Sequence, residues 1–295
     1  MPDGSLIESP VDVELCRPGD RFFDYCLWEY PPRVTTKDKW HSSNLLFQSF
    51  AVAGLAETLL PVCEAIRRAI GNNRTVWGVK YANGTLSWEF YFYDYERLER
   101  QVSLTSLLET LKPFVHCELQ YSEARPYFMF SIDLDESWAQ PDKTLDEVNI
   151  YVGNIGSQVS SGISYALTPS GLDFDNLYYF FDAQSEYETA QEKLACSAHL
   201  DSPGLALDAI LWPQLRECEI LVVANKRECD GVYFSRVGVE HLLWFMQRMN
   251  FSPALVNYVE ANRQYLDHLL FDVGVDYRMH NGEIQRLKAA YYGVF

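Results

Sequence analysis

The chain is poor in cations. Its 24 Lys and Arg stand against 41 Asp and Glu, a formal charge of -17 with a pI near 4.7. Tracking nucleic acid or anionic lipid requires clustered Lys and Arg, so neither is an expected partner, and any basic site must be local and enclosed. Long apolar runs are also missing. The most apolar stretch, around Leu45 to Leu60, is interrupted by Gln48, Ser49 and Glu57, and no basic segment followed by an apolar one opens the chain. Neither secretion nor membrane insertion is expected, which makes the protein cytoplasmic. Seven cysteines (16, 26, 63, 117, 196, 218, 229) include no C-x-x-C pair, and an odd, scattered set reads as reduced thiols. Cys196-x-x-His199 has no second pair to complete a zinc site, so no metal site is expected. A P-loop, G-x-G-x-x-G, G-x-S-x-G and H-E-x-x-H are all absent, leaving nucleotide, hydrolase and metalloprotease readings without local support.

Aromatic residues are plentiful, with 19 Tyr and 17 Phe, and the hydrophobic fraction of 48% can build a sizeable core. No linker divides the 295 residues. Residues 1–42, punctuated by Pro10, Pro18, Pro31 and Pro32, read as an arm carrying exposed aromatics, packed on a domain spanning 43–295. Ser43 to Ile70 reads as helical with a break near Pro61. Five strand pairs follow. Asn83-Gly84 and Asn281-Gly282 mark the first and last turns, and Asp230-Gly231 marks the fourth. Leu104, Leu107, Leu108 and Leu111 recur at helical spacing after the first pair, and Ser252-Pro253 supplies an N-cap and a first-turn proline to a late helix.

Three hairpins repeat a pattern: Gly78-Val79-Lys80-Tyr81, Gly162-Ile163-Ser164-Tyr165 and Gly274-Val275-Asp276-Tyr277 each lead to a tyrosine-rich strand. Irregular spacing excludes a solenoid, and closure would remove the sheet edges. The expected fold is therefore α/β: an antiparallel ten-stranded barrel of five hairpins with helices outside. Alternation sorts each strand into two faces. Leu86, Trp88, Phe90 and Phe92 suit the helix layer, while Ser87, Glu89, Tyr91 and Tyr93 suit a half-wet lumen. Glu147, Asn149 and Tyr151 separate from Val148, Ile150 and Val152 in the same way, and Arg286, Lys288, Ala290 and Tyr292 from Leu287, Ala289 and Tyr291.

Such a lumen suits ionisation of an allylic diphosphate, which needs fixed cations for the leaving group and ring faces to shield a carbocation. Lys80, Arg286 and Lys288 are the candidate cations, with Arg236 and Arg278 in reserve. Tyr91, Tyr93, Tyr165, Tyr178 and Tyr292 are candidates for the shield and substrate pocket, and Tyr151 with them. Glu89 or Glu147 could accept the acceptor's proton.

Ser131-Ile132-Asp133-Leu134 followed by Glu147-Val148-Asn149-Ile150-Tyr151, and the terminal Gly282 to Tyr292 with Lys288 and Tyr292 four apart, resemble the ABBA aromatic prenyltransferases. Within that family they are most similar to the cyanobactin-type peptide prenyltransferases. The resemblance implies a PT barrel and contacts from Asn149 and Tyr151 to diphosphate. It also implies transfer of a dimethylallyl or geranyl group from its isoprenoid diphosphate to an aromatic small molecule or peptide acceptor. Tyr91 stands where some phenol-type members use a carboxylate for magnesium, which leaves Mg2+ open as a cofactor. A DDxxD cluster is absent, so the all-helical prenyl synthases are not the pattern. A catalytically silent barrel that binds a small aromatic or isoprenoid ligand is the alternative.

Overall fold

A computed structural model describes residues 12–153, 160–197, 199 and 207–295. The opening stretch through Pro10, read above for a leader, lies outside the described residues. Two short strands come first, β1 (Phe22–Phe23) and β2 (Glu29–Tyr30), paired as a small hairpin. Helices α1 (Ser43–Ala53) and α2 (Ala56–Ile70) follow. The break between them falls at Gly54, not at Pro61: Gly54 takes φ 72 and ends α1, whereas Pro61 sits inside α2. A left-handed residue stops a helix outright, while a proline in the second turn removes one hydrogen bond and crowds the turn before it without ending the helix.

The remaining strands are β3 (Thr75–Ala82), β4 (Thr85–Tyr93), β5 (Met129–Leu134), β6 (Val148–Gly153), β7 (Ser161–Thr168), β8 (Gly171–Asp182), β9 (Ile220–Lys226), β10 (Asp230–Val237), β11 (Phe271–His280) and β12 (Glu283–Val294). Each pairs antiparallel with its chain neighbours, and β12 returns to β3, so the sheet is a closed ten-stranded barrel. Asn83-Gly84 and Asn281-Gly282 turn their hairpins with positive φ at both residues, the geometry that matches strand twist. Asp230-Gly231 does not turn: both residues pair within β10, and the reversal falls on residues 227–229. Between the hairpins lie α3 (Leu104–Leu111), α4 (Tyr187–Ala195), α5 (Val239–Arg248) and α6 (Pro253–Leu266). Pro253 opens α6 as expected, but the Ser252 side chain makes no capping bond.

The core lies between barrel wall and helices. Trp77, Trp88, Phe90, Phe92, Phe130 and Phe271 are fully buried there, each contributing on the order of 1.5–3 kcal/mol. Trp88 donates its ring N–H to Ser49 Oγ on α1 at 2.7 Å, which leaves this buried polar pair satisfied. Among the described residues, no helix is long and apolar enough to cross a membrane.

The arm contributes more than surface packing. Phe22 and Tyr30 are buried, so the expectation of exposed aromatics holds for Trp28 alone of these three. The β1–β2 hairpin lies over the barrel end opposite the strand turns, with Tyr25 entering the lumen to within 6.1 Å of the Tyr292 ring.

Candidate functional site: a two-part lumen

Lumen-facing positions follow from strand parity and divide the interior into two chambers. Near the arm is an apolar chamber of about 240 Å³, lined by Tyr25, Tyr93, Phe128, Met129, Phe180 and Val222 among others. Near the strand turns is a charged basin of about 480 Å³. Tyr91, Tyr151, Tyr178 and Tyr233 line both, forming a belt between them. Ring centroids run Tyr178–Tyr151 6.0 Å, Tyr151–Tyr91 6.3 Å, Tyr91–Tyr292 6.2 Å and Tyr292–Tyr233 6.3 Å. Burial raises the phenols of all five, so they remain neutral hydrogen-bond donors with accessible ring faces.

Two of the three repeated glycines, Gly78 and Gly274, explain how these rings fit. A Cβ on Gly78 would stand 2.5 Å from Cε1 of Tyr292, and one on Gly274 would overlap the Tyr233 ring. Each glycine therefore clears a patch of β-sheet on which a lumen tyrosine lies.

The basin is an alternating chain of charges. Lys80 Nζ lies 2.7 Å from Asp133 and 3.0 Å from Glu89; Lys288 Nζ lies 3.5 Å from Glu89 and 3.1 Å from Asp276. Lys226 Nζ lies 2.8 Å from both Asp276 oxygens and 3.0 Å from the Tyr233 hydroxyl. Tyr91 donates to Glu89 at 2.5 Å. Burial by itself would raise the Glu89 carboxyl, but Lys80, Lys288 and the Tyr91 bond hold it well below the usual carboxylate range. Asp276 is held low against burial by Lys226 and Lys288. The same contacts raise the Lys226 and Lys288 ammonium groups, although burial opposes this. Asn149 and Ser164 both donate to Asp175, which bulges out of register in β8.

Most of the expected site residues meet in this lumen: Lys80, Glu89, Tyr91, Asn149, Tyr151, Tyr178, Lys288 and Tyr292 in or beside the belt and basin, Tyr93 in the apolar chamber, and Glu147 at the exposed basin rim. Glu147 is raised by partial burial and by Asp175, Asp133 and Asp146, which makes it a better proton acceptor than the clamped Glu89.

Two expected lining residues lie elsewhere. Between Lys288, opposite Asp276, and Arg286, opposite Tyr277, the register shifts, and the extra residue Leu287 turns Arg286 to the outer face. Its guanidinium donates to the Ala209 carbonyl at 3.1 Å and lies over Trp212. Tyr165 pairs with Ile150 on the outer face and packs on the half-exposed Phe174. The reserve cations are also outside the basin. Arg236 binds Asp24 and Glu219 near the arm, and Arg278 is exposed beside Gln285.

Lys226, Tyr233, Asp276, Asp133 and Asn176 complete the lumen and were not among the sequence candidates. Asp276 and Asp133 stood inside motifs singled out above. Lys226 ends the apolar run from Ile220, where no two-faced alternation was visible. Magnesium has no ready place here. Glu89 and Asp276 are each held by two lysines, and among the described residues no lumen group of three carboxylates or histidines converges within 4.8 Å.

No family model matches the chain. It is similar to a putative JmjC domain-containing protein of Acanthamoeba polyphaga mimivirus, 21% identical over 86% of this chain. The chain spans about half the length of that relative, 46%. Among the described residues no histidine lines either chamber.

Proposed function

We propose that the barrel is a binding chamber for a small molecule with an aromatic or isoprenoid body, seated in the tyrosine-lined chamber with its polar end against the basin. The observation that carries this reading is the tyrosine belt: five tilted or edge-on rings with protonated hydroxyls separate an apolar pocket from fixed charges. A ligand apolar at one end and polar at the other satisfies both.

Prenyl transfer is the second reading, favoured by the placement of Lys80, Lys226 and Lys288 directly beneath the rings. A departing diphosphate would meet the lysines, and a carbocation would meet Tyr91, Tyr151, Tyr178, Tyr233 and Tyr292. Charge weighs on the other side. Glu89, Asp133, Glu147, Asp175, Glu228 and Asp276 outnumber the cations of the basin, and each lumen lysine already holds a carboxylate. A diphosphate must displace those carboxylates at a cost in buried charge. Seven free thiols suit a reducing, cytoplasmic setting for either activity.

Titrating the protein with geranyl alcohol, indole, and dimethylallyl and geranyl thiolodiphosphates separates the readings. Tight binding of neutral ligands that survives Lys288→Ala supports the silent chamber. Tight binding of the thiolodiphosphates alone, lost in Lys288→Ala, together with mass gain on Tyr or Trp peptides supplied with the true diphosphates, supports transfer. Failure of every ligand to bind overturns both.

A further inference from the structure

Outside the lumen, the arm carries a second cluster. Residues 14–16 run antiparallel to residues 39–41: the Cys16 N–H donates to the Lys39 carbonyl at 2.8 Å, and the His41 N–H to the Glu14 carbonyl at 3.0 Å. A tight turn at Arg17–Asp20 folds Asp20 back, so that one ligand atom each from Cys16, Asp20 and His41 lies within 4.8 Å of the others. His41 Nε2 is 3.0 Å from Asp20 Oδ2. From the barrel side, His268, in the link between α6 and β11, brings Nε2 to 3.3 Å from Cys16 Sγ. His268 is fully buried, and its other ring nitrogen has no partner. Lys39, the nearby cation, is taken up by Asp267 at 2.7 Å.

A thiol, an imidazole and a carboxylate share one point, and a second imidazole touches the thiol from the barrel side; drawn onto one centre, they make a four-ligand set of mixed N, S and O character. Zinc favours such a set when it is four-coordinate, and sulfur selects against magnesium and calcium. We propose that Cys16, Asp20, His41 and His268 bind a structural zinc(II) ion that pins the arm to the barrel. The ion would replace a Cys–His contact and an Asp–His pair with four bonds to one centre. It would also fix the strip from which the β1–β2 hairpin and Tyr25 reach the lumen mouth. Binding converts the Cys16 thiol to thiolate and releases its proton; no electron is transferred.

The test uses the whole chain loaded with a stoichiometric amount of zinc, desalted, and assayed for metal by mass spectrometry. The expected result is about one zinc per chain. Cys16→Ser and His41→Ala should each weaken retention by at least tenfold, roughly the range seen when metal-site contacts are lost, while Cys196→Ser keeps it. Replacement of zinc by cobalt(II) in the unmutated protein should give the visible bands of a tetrahedral site and one thiolate charge-transfer band, a readout that survives if a variant fails to fold. Absence of bound zinc in the unmutated chain, full retention in Cys16→Ser, or cobalt bands without thiolate character would each overturn the proposal.

Discussion

At the strand-turn end of the lumen, Asp133, Lys80, Glu89, Lys288, Asp276 and Lys226 alternate in sign, and every buried charge has an opposite neighbour. At the arm end, Asp24 and Asp272 are buried together with a single cation nearby: Arg236 reaches Asp24 at 2.8 Å, while Asp272 relies on Ser235 Oγ and the N–H groups of Arg236 and Tyr25. The consequence is opposite proton affinity. The basin holds Glu89 and Asp276 low, whereas burial and then Asp24 push Asp272 up to about 8. One end is built from matched ions and the other from hydrogen bonds around like charges, so the two should fail under different insults.

Breaking the basin should have the largest effect. Lys226→Met leaves Asp276, 5% exposed, with Lys288 as its remaining ion-pair partner, and should cost about 3–5 kcal/mol in urea unfolding. The double variant Lys226→Met/Asp276→Asn removes both charges and should recover most of that loss. Equal destabilisation of single and double variants would show that Lys226 acts by packing and not by pairing.

The arm end should respond to alkali. A folded-state value above that of a free carboxyl means that the folded chain holds a proton the unfolded chain releases. That contribution is complete below about pH 4 and is lost as pH rises toward 8, with a slope of at most about 1.4 kcal/mol per pH unit. Proteolytic clipping of the arm should therefore accelerate from about pH 4 up to pH 8 and then level off. Asp272→Asn should flatten the rise. The basin titrates the other way: depressed Glu89 and Asp276 stabilise at neutral pH, and that contribution is lost as pH falls through their low folded values. A single acid-side transition at both ends would end the contrast.

Between the two ends, the belt rests on its glycines. Gly274→Ala forces the Tyr233 ring off the sheet and should cost about 1–3 kcal/mol by overpacking. Trimming the ring as well, in Gly274→Ala/Tyr233→Leu, should restore part of the loss. Tryptic stability and ligand affinity measured together show whether the belt or the wall yields.

Much of this layout was legible in the chain. Period-two alternation placed Trp88, Phe90 and Phe92 outside and Glu89, Tyr91 and Tyr93 inside, because burial on one face enforces parity along an unbroken strand. Asn-Gly pairs fixed two turns because few other dipeptides accept two positive φ values. Parity fails where a bulge inserts a residue, and composition does not announce the bulges at Asp175 and Leu287. Asp230-Gly231 misled for a related reason: Gly231 is needed where the Asp276 carboxylate and Tyr233 ring crowd the backbone, not where the chain turns. Closure of the lumen by Tyr25 and the meeting of Cys16 with His268 join residues more than 240 positions apart, and local pattern carries no trace of either.

Arg286 gives the smallest expected effect and the sharpest check on the bulge. Its exposed guanidinium is tied to one carbonyl and lies over one ring, the buried Trp212, so Arg286→Ala should cost less than about 1 kcal/mol. Affinity for any ligand of the lumen should be unchanged, because the side chain stands on the helix side of the wall. Lys288→Ala, two residues on, removes the bridge between Glu89 and Asp276 and should change both stability and recognition of an anionic head group. If titration with a thiolodiphosphate shows the two substitutions weakening binding alike, the strand has kept its parity through Leu287. The basin would then hold one more cation than the shifted register of β11 and β12 allows.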